Sequence, residues 1–166
     1  WEDSLGNMQA LDEWRRQIGL VYPCEEITSK SWPITRPALE RSRRHNMRYG
    51  RLPGVKKEIS RLVMGVDNQP DDAHAAVMFD DFIERGGNCF DCSDHYGPNS
   101  IRERILGRWL DNRSIREEIV LLGKGGHVPF NWPDVVNLRI HDSLERLKTD
   151  TLDIYMLHRD NVDVPA

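Results

Sequence analysis

Residues 86–124, GGNCFDCSDHYGPNSIRERILGRWLDNRSIREEIVLLGK, decide the fold class. The short apolar run NCFD (88–91) reads as a strand. After a polar turn comes SIRERILGRWLDN, where Ile101, Ile105 and Trp109 recur at helical spacing with Leu106 and Leu110 beside them. Ser100 followed by Glu103 is a capping-box signature for the start of that helix. A second apolar run, IVLLGK (119–124), closes the unit. Strand, helix, strand is the unit of a parallel sheet, because parallel neighbours need a crossover connection.

The unit repeats in both directions. Upstream, SRLVMGV (60–66) reads as a short buried strand, and DDAHAAVMFDDFIERGG (71–87) as its helix. Ala76, Phe79 and Ile83 share one face there, acidic residues lead, and Gly86-Gly87 closes the helix. Downstream, WPDVVNLRIHDSLERL (132–147) has Pro133 at a helix start and Val136, Ile140, Leu144 and Leu147 on one face. TLDIYMLH (151–158) is the last strand. The class is therefore α/β with a parallel sheet. Periodicity does not separate an open doubly wound sheet from a closed barrel, but no G-x-G-x-x-G follows the first strand, so a classical dinucleotide fold is disfavoured.

Outside this core, RYGRLPGVKKEI (48–59) carries Pro53-Gly54 between two short stretches and is expected to form a hairpin. Residues 23–47 hold three prolines and the basic residues Arg41, Arg43 and Arg44, and read as an exposed linker. Residues 1–22 read as one amphipathic helix, with Met8, Leu11, Trp14 and Ile18 on its stripe and Gly19 as its stop. The expected organisation is a helix (1–22), a linker (23–47) and an α/β domain (48–166).

With a net charge of -4 over 166 residues, nothing electrostatic points to nucleic acid or an anionic membrane as partner. No apolar run approaches the ~18 residues of a membrane span. Three cysteines do not make a disulfide framework, which favours a reducing, cytoplasmic setting. A chain that starts at Trp1 and stops just past a strand is expected to be a piece of a longer protein.

Three strands end in a polar residue that burial does not explain: Asp91, Lys124 and His158. In parallel α/β folds ligands bind at the carboxyl ends of strands, and in barrels catalytic residues come from several strand ends. Tyr96, in the loop after Asp91, would join them on that face. This set suits carbonyl reduction. As hydride reaches the carbonyl carbon, the oxygen gains negative charge and must receive a proton. A phenol, with a pKa of about 10, is a poor acid near neutrality. A lysine ammonium stabilises the phenolate, a carboxylate holds the lysine in place, and a histidine can donate a hydrogen bond to the carbonyl oxygen. Singly, each residue has a plainer reading: a loop cap, a packed ring in a turn, a snorkelling lysine, a structural histidine. Their joint placement on successive strand ends is what the plain readings do not explain.

These residues resemble the aldo-keto reductase family. GGNCFDCSDHYG (86–97) is similar to its signature, a Gly-x-Asn-x-Phe-Asp segment followed by a Tyr-Gly pair. SIRERILGRWL resembles the helix that follows, LLGKGG places Lys124 at the family's lysine, and SLERLKTDTLDIYMLHRD leads to its histidine, here His158. The resemblance spans about residues 48–166. It implies a (β/α)₈ TIM barrel of which only the first half is present, and NADPH-dependent reduction of an aldehyde or ketone, with NADH the less common cofactor. By position it makes Tyr96 the general acid, Lys124 and Asp91 its tuning pair, and His158 the substrate-orienting group. Asp91 is expected near the nicotinamide ribose, and Gly65 where cofactor or substrate approaches. Cys92 and Ser93 stand where Thr and Ala are common, and Gly125-Gly126 where some members carry a bulky aromatic. A full barrel needs about 250 residues, with phosphate sites commonly after strands seven and eight. This chain alone is therefore expected to bind cofactor poorly. SLGNMQALDEWRRQIGL, near the start, resembles the tail of a Gfo/Idh/MocA-like oxidoreductase, which would imply a fused upstream oxidoreductase domain and sugar-like substrates.

Two other readings stay open: a non-catalytic cofactor-sensing or interaction subunit of the same fold, and a metal-dependent barrel enzyme. Against metal, no H-x-x-x-H or H-E-x-x-H spacing occurs, and Cys89 and Cys92 have no second pair. No metal ligand is therefore assigned.

Overall fold

The computed structural model describes residues 2–20, 38–129 and 131–160. The chain divides into two compact units, Trp1–Pro37 and Ala38–Ala166. In the first, α1 spans Glu2–Gln17. It is followed by Gly19 at φ +67, a left-handed stop of the kind glycine takes without strain. Met8, Leu11, Trp14 and Ile18 are exposed. Residues 21–37, which hold the end of the expected helix and most of the expected linker (23–47), lie outside the described residues. The linker's remainder is tied to the second unit rather than free: Ser42 N donates to Glu84 O at 2.8 Å, and Arg41 pairs with Glu118.

The second unit opens with the expected hairpin. Strand β1 (Tyr49–Gly50) pairs antiparallel with β2 (Ile59–Ser60), and Gly54 turns at φ +89. Then come β3 (Val63–Gly65), α2 (Asp72–Glu84), β4 (Cys89–Ser93), α3 (Ile101–Arg113), β5 (Val120–Gly125), α4 (Pro133–Leu147) and β6 (Ile154–Leu157). Strands β3 to β6 form one parallel sheet in chain order. Four parallel strands joined by three helices are the first half of a (β/α)₈ barrel. No helix among the described residues is long and apolar enough to cross a membrane.

Alternation along β4 sorts the two faces of the sheet. Phe90 and Cys92 point to the helices and are fully buried. Phe90 meets Phe79 and Phe82 of α2 edge-on at 5.3 and 5.4 Å, and Trp109 of α3 packs on both Phe79 and Phe90. This is the core, and it lies on the helix side. Helices α3 and α4 approach so closely that a Cβ on Gly107 would sit 2.3 Å from Arg146 O.

Several sequence expectations need correction. The first strand of the parallel sheet is shorter than expected and not buried: Val63 and Leu62 are exposed, because β3 pairs on one side only and the face opposite the helices is uncovered there. Strand β4 runs on to Ser93 and β5 to Gly125, so Asp91 and Lys124 sit within strands; only His158 lies just past its strand. The capping box does not form. Ser100 is left-handed at φ 53 and donates its hydroxyl to Asp94 O, while Glu103 turns inward to Arg146 Nε at 2.6 Å. Burial pushes the Glu103 carboxyl up despite that pairing.

Asp153 ties the start of β6 to its surroundings. It accepts from Leu121 N at 2.9 Å and pairs with Lys57 at 3.0 Å and Arg116 at 2.9 Å. Burial alone would raise its carboxyl, but the Leu121 N–H, Lys57 and Arg116 outweigh that and hold it below the ordinary value. A folded-state value below the unfolded one contributes stability above the unfolded pKa of about 3.9, lost as pH falls through the folded value. Asp153→Asn is therefore expected to flatten the acid limb of stability below about pH 4. Urea midpoints measured against pH for both proteins check this; parallel limbs would contradict it.

Candidate active site

The inner face of the sheet, opposite the helices, collects the polar residues singled out in the sequence. Register puts Asp91 beside Leu122 and Ser93 beside Lys124, so Asp91, Ser93 and Lys124 share that face. Lys124 Nζ donates to Tyr96 Oη at 2.7 Å. It also lies 2.9 Å from Asp91 Oδ1 and 3.0 Å from Oδ2, with hydrogen-bond geometry only to the latter. Burial pulls the Lys124 ammonium down, but the bonds to Tyr96 and Asp91 outweigh it and leave the group raised. Tyr96 is carried by the loop after β4, where its N–H donates to Ser93 O and Arg102 N donates to its carbonyl. Gly97 follows at φ +73, a turn that favours glycine.

His158 follows β6 directly, and its N–H donates to Gly125 O at 2.7 Å, continuing the pairing of β5 with β6. Its ring stands edge-on to Tyr96, centroids 5.8 Å apart. The four expected side chains therefore converge. Burial, then Lys124, His95 and His127, lowers the His158 imidazole from its ordinary range, with Asp94 opposing. Gly65 ends β3 beside Asp91, and a Cβ built there would meet nothing within 4 Å. Asp91 Oδ1 is buried, with the Lys124 ammonium 2.9 Å away. A groove of about 830 Å³ lined by Arg44, Arg48, Arg61 and Glu84 lies by the hairpin and shares none of these residues.

Three residues at the site were not among the expected site residues, although His95 and His127 are two of the histidines that invited the metal-dependent reading. His95 stacks on His127 at 4.8 Å, and both rings lie within about 6 Å of His158. Ser93 Oγ lies 2.8 Å from His158 Nδ1. Strand parity with Asp91 would have placed Ser93 on this face; no pattern marks His127, which is brought in by the turn after β5. Asp94, His95 and His158 each offer a ligand atom within 4.8 Å of the others. Both imidazole Nδ1 atoms are already hydrogen-bonded, to Asp94 and to Ser93. Cys89 and Cys92 stand three apart on a strand and so face opposite sides. Burial pushes both thiols up, Cys89 to about 11. Neither is poised as a metal-binding thiolate.

A half-barrel presenting an acid, a phenol, an ammonium and an imidazole at its strand ends defines the class, and comparison with known proteins agrees: the model of the aldo/keto reductase family matches residues 62–166. The chain belongs to the aldo/keto reductase family. Among its relatives, "Protein tas" of Escherichia coli (strain K12) is 31% identical over 134 residues, covering 68% of this chain and 38% of that protein. A probable aryl-alcohol dehydrogenase, AAD4, of Saccharomyces cerevisiae is 31% identical over 98 residues, covering 51% of this chain and 30% of that one. The solved structure of aldo-keto reductase AKR11C1 from Bacillus halodurans, in its holo form, superposes with a TM-score of 0.61 at 29% identity, covering 72% of this chain and 42% of that chain. The chain thus spans well under half the length of the curated relatives it matches. Residues 1–22 lie outside the family match, and the Gfo/Idh/MocA resemblance finds no support in these comparisons.

Proposed function

We propose that the whole protein to which this chain belongs reduces an aldehyde or ketone to the alcohol with NADPH, NADH serving less well. The observation that carries the reading is the contact of one ammonium with both a phenol and a carboxylate: Lys124 Nζ at 2.7 Å from Tyr96 Oη and 2.9 Å from Asp91. When bound, the nicotinamide supplies hydride to the carbonyl carbon. The open backbone at Gly65, which ends β3 beside Asp91, suits its approach.

Tyr96 then delivers the proton to the carbonyl oxygen. The ammonium at its Oη favours the phenolate left behind, and Asp91 keeps that ammonium charged and aimed. His158, edge-on to the Tyr96 ring, orients the oxygen. The likeness to a probable aryl-alcohol dehydrogenase makes aromatic aldehydes the first substrates to try.

The test is a fluorescence titration with NADPH and NADH. It is run on this chain and on one extended by about 150 residues, the rest of a typical barrel, followed by assays with aromatic and sugar carbonyls. Binding and turnover by the extended chain are expected, with weak binding by this one. Binding without turnover would favour a cofactor-sensing subunit instead, and no binding by either would overturn the reading.

A further inference from the structure

Three imidazoles stand just past the ends of three successive strands: His95 after β4, His127 after β5 and His158 after β6. Their ring centroids lie 4.8, 5.8 and 6.0 Å apart. Rings that share one zinc ion, at Zn–N distances of about 2.0–2.1 Å, have centroids roughly 5 Å apart. The trio is close to that spacing. The three histidines are 32 and 31 residues apart in the chain, so no local motif announces them in the sequence.

The other nitrogen of each ring points the same way. His95 Nδ1 lies 2.5 Å from Asp94 Oδ1, and the Asp94 side chain is 1% exposed. His127 Nδ1 lies 3.1 Å from Val128 O. An ionised carboxyl and a backbone carbonyl only accept, so both rings donate from Nδ1. In a neutral imidazole Nε2 is then a bare lone pair, and no hydrogen bond among the described residues reaches it in either ring. Metal-ligating histidines are held in this way, the second nitrogen donating to a carboxylate or a backbone carbonyl that fixes the ring. His158 is freer. Its Nδ1 faces the Ser93 hydroxyl at 2.8 Å, and a hydroxyl both donates and accepts. The ring can keep its proton on Nε2, where it donates to a carbonyl oxygen, or hold it on Nδ1 and give Nε2 to a metal. Charge around the trio is mixed. Lys124 opposes a cation but is already paired with Asp91 at 2.9 Å, while the buried Asp94, with Arg139 at 3.8 Å, backs His95.

We propose that His95, His127 and His158 bind a divalent transition-metal ion, zinc foremost, which inhibits the protein reversibly by taking the imidazole that orients the carbonyl oxygen. Imidazole suits zinc, and three of them leave its fourth position open. The ion is an inhibitor and not a cofactor: without it Tyr96, Lys124 and His158 keep the roles given above. His95 and His127 are stacked, their planes 30° apart, so binding unstacks them; His127, held only by the carbonyl of the next residue, is the ring that turns. Inhibition rests on the carbonyl-reducing reading, but binding does not.

Calorimetric titration of the untagged chain with zinc chloride reads binding without cofactor or turnover. It is run at about pH 7.5, one unit above the ordinary histidine value of about 6.5. One zinc per chain is expected. His95→Ala and His127→Ala should each weaken binding by at least about 10-fold, the least that even an outer partner of a ligating histidine is worth. His141→Ala, at an exposed position of α4, should bind as the wild type does. No binding, wild-type affinity in His95→Ala or His127→Ala, or binding lost in His141→Ala would each overturn the proposal. In the full-length protein zinc should suppress carbonyl turnover and EDTA restore it, while His127→Ala turns over normally and resists zinc. Zinc bound by the trio with turnover unaffected would overturn the inhibition. Zinc bound by the trio in a protein that reduces no carbonyl would sink the proposed function and leave the metal site; carbonyl turnover in a protein that binds no zinc would do the reverse.

Discussion

Tyr96→Phe, in the full-length protein, is expected to lower carbonyl turnover by about 10²–10⁴-fold, the usual worth of a positioned general acid, while leaving cofactor affinity nearly unchanged. The substitution removes one oxygen and little else. The phenylalanine ring can keep the edge-on contact with His158, and Lys124 keeps its pairing with Asp91 at 2.9 Å. What is lost is the group from which Lys124 draws the proton donor into line, at 2.7 Å. An effect on kcat with little on NADPH binding is therefore the signature of lost proton delivery rather than lost structure. The measurement is single-turnover oxidation of bound NADPH, paired with a fluorescence titration. Turnover at the wild-type rate would remove Tyr96 from the role of acid.

Much of this arrangement could be read from the sequence, for reasons that differ by element. Helices α2 and α4 are legible because their stripes bury one face: Phe79 and Ile83 in one, Leu147 in the other, end up in the interior. The strands are legible as apolar runs, but their ends are not. Parallel pairing extends β4 through Cys92 and Ser93, a step that depends on β5 lying alongside with Gly123 and Lys124 in register. Ser100 shows the limit of local signatures. Its hydroxyl is captured by Asp94 O across the loop, and Glu103 is taken by an arginine 43 residues away, so the capping box yields to tertiary partners. The convergence of Asp91, Tyr96, Lys124 and His158 was legible because strand ends are shared geometry in this architecture. The Ser93–Asp94–His95 network was not, since nothing in the spacing says which ring nitrogen a hydroxyl will meet.

Asp80→Ala is expected to destabilise the second unit by about 3–5 kcal/mol, the cost of stranding one member of a buried ion pair. Asp80 is fully buried on α2, and its neighbours on α3 explain why a carboxyl is tolerated there. It accepts from Trp109 Nε1 at 3.0 Å and from Arg113 Nε and Nη2 at 2.9 and 2.5 Å. The Arg113 side chain is only 7% exposed, so removing Asp80 takes from a buried guanidinium the carboxylate that holds it through two nitrogens. Against a total of about 5–15 kcal/mol for a typical domain, a loss of that size dominates. Asp80→Asn should cost less, because the amide oxygen still accepts from Trp109 while the charge is gone. Replacing both partners by apolar residues, Asp80→Leu with Arg113→Met, should recover part of the loss, because no charge is then left buried, although the Trp109 N–H loses its acceptor. Urea unfolding followed by circular dichroism gives the three differences. A cost below about 1 kcal/mol for Asp80→Ala, the range of exposed pairs, would mean that the apolar contacts of Phe79, Phe90 and Trp109 alone clamp α2 to α3. A cost in the expected range would make the ion pair a main tie between α2 and α3, the helices that brace the outer face of β4, whose inner face carries Asp91 and Ser93.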